Sequence, residues 1–208
     1  MYSGEKLNSI THLVGAALAL IGFGALLAVG LQLQSWQALT AFSIYGLTLV
    51  ALYTISTLYH SFRPIKLKRL FQKLDHVSIY LLIAGTYTPY MMMSLWEGNG
   101  PVMLLIVWAL ALAGFLLDVL LPRRQELLQN FLYLFMGWLC VLEFDALQQA
   151  IPPAGINWLV AGGIAYTVGV VFYVLDHHER LTHAHGIWHL FVLTGSICHF
   201  ISVIAYVR

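Results

Sequence analysis

Charged residues are scarce in this chain of 208 residues, because Asp, Glu, Lys and Arg together make up only 9% of it. A water-soluble domain usually carries about a quarter charged residues. Hydrophobic residues reach 60%, and the mean hydropathy is +0.81. This composition excludes an ordinary soluble domain. It predicts a polytopic membrane protein whose spans use most of the chain and leave no room for a separate soluble domain.

Cysteine is also rare, and both cysteines, Cys140 and Cys198, lie inside apolar stretches. Neither has the paired spacing of a thiolate metal site, so we expect packing roles rather than a disulfide. The net charge is only +1, which gives no reason to expect a nucleic-acid partner. Internal repeats and low-complexity tracts are absent as well. Any function therefore has to come from the apolar stretches and the polar residues within them.

Seven apolar stretches have roughly the length of about 20 residues that crosses a bilayer as a helix. The breaks between them carry proline, glycine or charge. The sequence therefore predicts an all-α fold, with residues 1–208 forming a single seven-helix membrane domain. The predicted spans are residues 10–33, 38–61, 76–95, 101–121, 127–148, 158–175 and 185–207.

Basic residues alternate between successive loops, and this alternation predicts the orientation of the chain. One side carries nearly all of them: Lys6, Arg63, Lys66, Lys68, Arg69, Lys73, Arg123, Arg124 and Arg180. The other side has only Arg208. Because cytoplasmic loops carry the excess of Lys and Arg, we expect a cytoplasmic N-terminus and an external C-terminus. An odd number of spans, such as seven, places the two termini on opposite sides of the membrane, in agreement with this orientation.

Three histidines on two different spans are expected at the same depth on the cytoplasmic side. His185 and His189 are four residues apart, which places both imidazoles on one helical face, as a pair of metal ligands requires. His60 ends the second span at the same level. A lone buried histidine is more often a hydrogen-bonded packing residue, but three at one depth predict a metal site with an open position for water.

Other polar residues are expected at the same level. Asp75 begins the third span, where it would hydrogen-bond the water and act as general base, with direct ligation as an open alternative. It could instead cap the third helix or pair with Lys73. Ser56 lies one turn deeper than His60 and would contact the water or orient that ligand. His12, in the first span, could support the site or serve only in packing.

Two further histidines are expected outside the site. His199 follows His189 by ten residues, which places it about 15 Å deeper along the helix. It is expected to hydrogen-bond a neighbouring helix. His76 directly follows Asp75, and we expect it to point elsewhere.

The motifs around these residues resemble those of the progestin and adipoQ receptor superfamily. Its three motifs are matched by Ser56-x-x-x-His60, Leu74-Asp75-His76 and His185-x-x-x-His189. Further agreement comes from Asn8-x-x-Thr11-His12 and from Ala84-Gly85-Thr86-Tyr87-Thr88-Pro89. The segment from His185 to Phe191 is similar to that of the bacterial hemolysin III branch.

The resemblance implies a seven-helix fold with a cytoplasmic N-terminus, located in the inner membrane of a bacterial cell. It also implies a zinc ion held by the residues that match the family ligands, His60, His185 and His189, with Asp75 near the bound water. Ceramide hydrolysis is the activity usually proposed for the related receptors. Nothing in the residues of this chain looks like a pore-forming toxin.

Three functions remain as hypotheses. The first is a zinc-dependent hydrolase that cleaves an amide or ester bond of a membrane lipid and contributes to lipid homeostasis; membrane lipids are then the expected substrates or ligands. The second is a regulator of membrane homeostasis in which zinc is structural. The third is a transporter or proton relay that uses Glu143, Asp145 and the histidines. We expect no chain of polar residues through the middle of the membrane, which argues against the third.

Overall fold

The computed structural model describes residues 4–121, 126–178 and 180–208, apart from the side chain of His177. The described residues form eight α-helices and no strand, so the predicted all-α fold is confirmed. Arg123 and Arg124, which contribute to the predicted orientation, lie outside the described residues. The helices are α1 (Lys6–Gln32), α2 (Trp36–Ser61), α3 (Ile65–Pro89), α4 (Gly100–Leu120), α5 (Glu126–Trp138), α6 (Phe144–Ala150), α7 (Pro153–His177) and α8 (Ala184–Tyr206).

Six helical segments among the described residues are long and apolar enough to cross a membrane. They correspond to every predicted span except the third. Both cysteines are free thiols on these segments, in agreement with their predicted packing roles. The six segments are Lys6–Gln32, Trp36–Ser61, Gly100–Leu120, Glu126–Ala150, Pro153–Asp176 and Ala184–Tyr206.

The prediction of seven apolar spans is wrong at α3, the helix that contains residues 76–95 of the predicted third span. α3 begins at Ile65, and its first three turns are rich in lysine and arginine. Further along, most side chains from Val77 to Pro89 are buried between α2 and α4. A helix that is enclosed by protein does not need an apolar surface, because lipid does not contact it. This explains why threonine and tyrosine are frequent in the second half of α3.

The two ends of the described chain lie at opposite ends of the bundle. Glu5 precedes α1 and contacts His60 in the last turn of α2. Arg208 follows α8 and lines a cavity at the other end together with Leu33, which follows α1. A chain whose ends lie at opposite ends of the bundle must pass along it an odd number of times. The six apolar segments make six passes, and α3 makes one more, which brings the total to seven. Which end faces the cytoplasm stays a prediction.

The predicted fifth span, residues 127–148, is interrupted. α5 ends at Trp138, and a short 3-10 turn, Leu139–Glu143, joins it to α6. The Tyr87 hydroxyl donates a hydrogen bond of 2.7 Å to the carbonyl of Met136 and accepts one of 2.8 Å from the amide of Cys140. Backbone groups at membrane depth must be satisfied within the protein. The tyrosine therefore stabilises the interruption.

Gly85 brings α3 close to α2, and this contact leads to a prediction about stability. A Cβ at Gly85 would overlap the side chain of Thr48, whereas a Cβ at Gly24 would have no atom within 4 Å. Overpacking typically costs about 1–3 kcal/mol. We expect Gly85→Ala to lower the thermal unfolding temperature in detergent and Gly24→Ala to leave it unchanged or raise it. Equal effects of both substitutions would show that the close approach does not contribute to stability.

Candidate metal centre

Three histidines from α2 and α8 meet at one end of the bundle. His60 lies in the last turn of α2, and His185 and His189 lie in the first turns of α8. One ring nitrogen of each lies within 4.8 Å of the corresponding nitrogens of the other two. His60 and His189 are buried, and His185 is half-buried. The structure therefore brings together all three predicted ligands.

A hydrogen bond to a protein oxygen orients each of the three rings. The Nδ1 atom of His60 donates to Glu5 at 2.7 Å, that of His185 to Asp176 at 3.0 Å, and that of His189 to the carbonyl of Asn8 at 3.3 Å. A carboxylate or carbonyl oxygen can only accept, so each Nδ1 must carry the hydrogen. A neutral ring with its proton on Nδ1 has a lone pair on Nε2. Metal-binding histidines are usually oriented by such acceptors.

The Nε2 atoms of these three rings are all buried, and none has a hydrogen-bond partner among the described residues. A buried nitrogen without a partner costs about 1–3 kcal/mol, so three neighbouring ones would be a substantial penalty. One cation can accept all three lone pairs. Within the part of the chain that the structure describes, no other His, Cys, Asp or Glu belongs to the cluster. The three residues therefore fit a metal ion with a coordination position left open.

Glu5 connects the cluster to side chains on α1 and α3. Besides the bond from His60, it accepts hydrogen bonds from Lys68 at 2.8 Å and from Asn8 at 2.9 Å. Partial burial raises the pKa of the Glu5 carboxyl, but the hydrogen bonds outweigh burial and hold the pKa well below its usual range. Glu5 therefore stays ionised and keeps the Nε2 of His60 available. The sequence pattern does not indicate a role for Glu5 or Asp176 at this site.

Replacing Glu5 should weaken metal binding without removing a ligand. Loss of the acceptor for a ligating histidine typically costs 10-fold to 100-fold in metal affinity. We expect Glu5→Ala to show a decrease of about this size in titrations that compete the protein against a metal chelator. Glu97→Ala is a suitable control, because this exposed glutamate lies at the opposite end of the bundle. Unchanged affinity in Glu5→Ala would contradict the proposed orienting role.

His12 lies directly against the cluster. Its ring stacks on His189 with a centroid separation of 3.6 Å and lies edge-on to Tyr53 at 5.1 Å. The hydroxyl of Thr11 is 3.3 Å from the Nδ1 of His189. α1 therefore contributes one wall of the site, as expected if His12 supports it. The supporting role itself stays a prediction.

Asp75 and Ser56 are both buried near the cluster. They line a common apolar cavity, and Asp75 also lines a polar cavity that contains His60 and His185. Because α3 begins at Ile65, Asp75 lies inside the helix and does not cap it. Asp75 is not part of the group of ligand atoms that lie within 4.8 Å of one another. Its role as a base and the role of Ser56 stay predictions.

The polar and apolar cavities meet beside the cluster. The polar cavity measures about 340 Å³, and the apolar one about 150 Å³. Four residues line both: Asp75, His76, Tyr173 and Trp188. The expectation that His76 points elsewhere is therefore wrong, because its side chain is half-buried at this junction. Helical periodicity does not predict the position of His76 at the junction, because adjacent residues on a helix point in different directions and Asp75 is already assigned to the site.

A second polar group lies deeper in the bundle. The hydroxyl of Tyr53 donates to Ser196 at 2.7 Å, and Tyr166 is also 2.7 Å from the Ser196 hydroxyl. His199 donates from Nε2 to the carbonyl of Leu159 on α7 at 3.0 Å, which confirms the predicted bond to a neighbouring helix. The expectation of no polar chain at mid-depth is thus only partly correct. Tyrosine is counted as hydrophobic in the sequence, but the hydroxyls of Tyr53 and Tyr166 form a short hydrogen-bonded network with Ser196 there.

A helical bundle with six apolar spans and a buried three-histidine cluster defines a multi-pass membrane protein with a candidate metal site. Comparison with known families places it more closely. The haemolysin-III related family matches residues 1–200, and the chain belongs to this family.

Individual relatives cover nearly the whole chain. It is 39% identical to "Hemolysin-3" of Bacillus cereus over 98% of its length and 91% of that protein. Identity to the "Hemolysin-3 homolog" of Bacillus subtilis (strain 168) is 38%, over 97% of this chain and 93% of the relative. The human "Monocyte to macrophage differentiation factor" is 30% identical over 96% of this chain and 82% of its own length. The match to animal proteins agrees with the resemblance that the motifs indicate.

Proposed function

We propose that this protein is a zinc-dependent hydrolase that cleaves an amide or ester bond of a membrane lipid at the cytoplasmic face of the bacterial inner membrane. The observation that carries the proposal is the set of three buried Nε2 atoms that have no hydrogen-bond partner in the described part of the chain, beside the junction of a polar and an apolar cavity. Such an activity would contribute to membrane lipid homeostasis.

His60, His185 and His189 would hold the zinc ion. An all-imidazole set of three ligands with an open position is typical of catalytic zinc. Zinc, when bound, lowers the pKa of a coordinated water and polarises a carbonyl. Asp75, buried at the junction, would accept the proton from the attacking water and deliver it to the leaving group. Ser56, one turn deeper than His60, would hydrogen-bond the substrate or the water.

The two cavities suit the two parts of a lipid. The apolar cavity extends from Asp75 along α3 to Tyr87, mostly between leucine, isoleucine, valine and aromatic side chains, which fits an acyl chain. The polar cavity fits a headgroup, since carboxylates and histidines line it. A bond between the two parts of the lipid would lie at the residues that both cavities share. The scissile bond would then be next to Asp75.

Two alternatives are less well supported. A purely structural zinc normally has four protein ligands, whereas this cluster offers three. Such a site would suit a regulator only if Asp75 moved to complete it. A transporter or proton relay would gain from the network of Tyr53, Ser196 and Tyr166, but it would also need a path from there to Glu143 and Asp145 at the opposite end.

Hydrolysis can be tested with purified protein in liposomes that contain a lipid amide or the corresponding lipid ester. We expect release of free fatty acid that stops after treatment with a metal chelator and returns when zinc is added. Release from neither substrate by the zinc-loaded protein would contradict a hydrolase. Release that persists after zinc is removed, as metal analysis would establish, would contradict the role of the cluster.

A further inference from the structure

The first three turns of α3 carry a set of basic and apolar side chains on their exposed surface. Lys66, Arg69 and Lys73 are spaced three and four residues apart, so they lie on one side of the helix. All three are exposed. No carboxylate among the described residues forms an ion pair with them. We refer to Lys66, Arg69 and Lys73 as the basic stripe.

A row of leucines lies next to the basic stripe. Leu67, Leu70 and Leu74 repeat the same spacing one position further along, and 40%, 51% and 37% of their surfaces are exposed. Three exposed leucines in a row are unfavourable in water, because apolar surface prefers to leave it. They are favourable if they contact acyl chains. Lysine and arginine beside such a surface can extend their charged ends to the lipid headgroups.

The position of these turns agrees with a location at the membrane surface. α3 has 25 residues and is therefore about 37 Å long, more than the hydrocarbon core of about 30 Å. The buried part of α3 starts at Asp75. The preceding turns, which begin at Ile65, therefore extend beyond the buried part of the helix towards the headgroup region. Lys68, on the inner side of the same turns, binds Glu5 at 2.8 Å. This ion pair fixes which face of the segment points outward.

We propose that the basic stripe and the adjoining leucines form a docking site for an anionic phospholipid. The three cations have no counter-ion among the described residues, and a phosphate-bearing headgroup with a net negative charge would complement them. Each Lys or Arg close to a membrane surface adds about 1 kcal/mol of attraction to anionic lipid. The three together correspond to about a hundredfold preference over a lipid without net charge. The inference does not depend on the proposed hydrolase activity.

The docking site can be tested with phosphatidylglycerol as the probe. The triple variant Lys66→Gln/Arg69→Gln/Lys73→Gln is compared with the control Lys6→Gln/Arg180→Gln/Arg208→Gln, which loses the same charge at other exposed positions. Each protein is placed in nanodiscs of mixed phosphatidylglycerol and phosphatidylcholine, extracted in mild detergent, and analysed by native mass spectrometry for lipid that stays bound. We expect wild type and the control to keep one phosphatidylglycerol and the triple variant to lose it, with affinity reduced about a hundredfold.

Retention of the same lipid by the triple variant would overturn the proposal. An equal loss in the control would also overturn it, because the attraction would then reflect overall charge and no particular site. Thermal unfolding in detergent without anionic lipid separates binding from folding. Because the substituted side chains are exposed, the triple variant should unfold at the wild-type temperature there. Phosphatidylglycerol should raise the unfolding temperature of the wild type but not that of the triple variant. An equal rise in both proteins would contradict the site.

Discussion

Substitution of His189 by alanine is expected to reduce bound zinc from one ion per chain to nearly none. His189 is fully buried and supplies one of three nitrogens that lie within 4.8 Å of one another. Two remaining imidazoles leave the ion with half of a tetrahedral shell, which is too few ligands for a stable protein site. The measurement is elemental analysis of purified protein after dialysis against zinc-free buffer.

His199→Ala is the matched control for this loss. His199 lies on the same helix, is half-buried, and binds the carbonyl of Leu159 instead of the cluster. It should keep one zinc ion per folded chain. Full zinc content in His189→Ala would refute the site. Equal loss of zinc in His199→Ala and His189→Ala would also count against the site, because general damage to the bundle would then explain both results.

Substitution of Asp75 by asparagine is expected to leave zinc bound but to reduce lipid hydrolysis by about 10²-fold to 10⁴-fold, the usual contribution of a general base. Asparagine is similar in size and can still hydrogen-bond, but it cannot accept the proton. Asp75 is buried at the junction of the two cavities and does not belong to the ligand cluster. Zinc content and fatty-acid release are measured on the same sample.

The two readouts of Asp75→Asn separate the hypotheses. Loss of zinc together with activity would identify Asp75 as a ligand and favour a structural ion. Unchanged activity would remove Asp75 from the mechanism. Asp145→Asn serves as control, since this exposed carboxylate lies on α6, away from the cluster. A hydrolase should tolerate this change, whereas a proton relay through Asp145 should not.

The ligands could be predicted from the sequence because their positions follow from helix ends and spacing. His185 and His189 share a helical face by their four-residue separation, and His60 reaches their level because α2 ends there. The orienting residues could not be predicted in this way. Glu5 and Asp176 contact the rings through loops and helix ends, and these contacts depend on how neighbouring helices are rotated and packed.

The error at α3 has a related cause. Hydropathy detects helices that face lipid, but α3 is buried between α2 and α4 through much of its length and contains threonine and tyrosine there. Tyr87 is an example, since its hydroxyl stabilises the interruption after α5 and is not free to contact lipid. The amino-acid composition of an interior helix in a membrane bundle is determined by packing against protein and not by contact with lipid. The limits of such a helix are therefore harder to predict from apolar length.

The central claim is that His60, His185 and His189 share one zinc ion with a position left open. X-ray absorption at the zinc edge of the purified, zinc-loaded protein tests it most directly, because the spectrum reports the number and type of ligands. We expect three imidazole nitrogens and one additional light ligand in the wild type, and almost no zinc signal from His60→Ala, in which only two imidazoles remain. A spectrum with fewer than three imidazoles in the wild type, or one unchanged in His60→Ala, would contradict it.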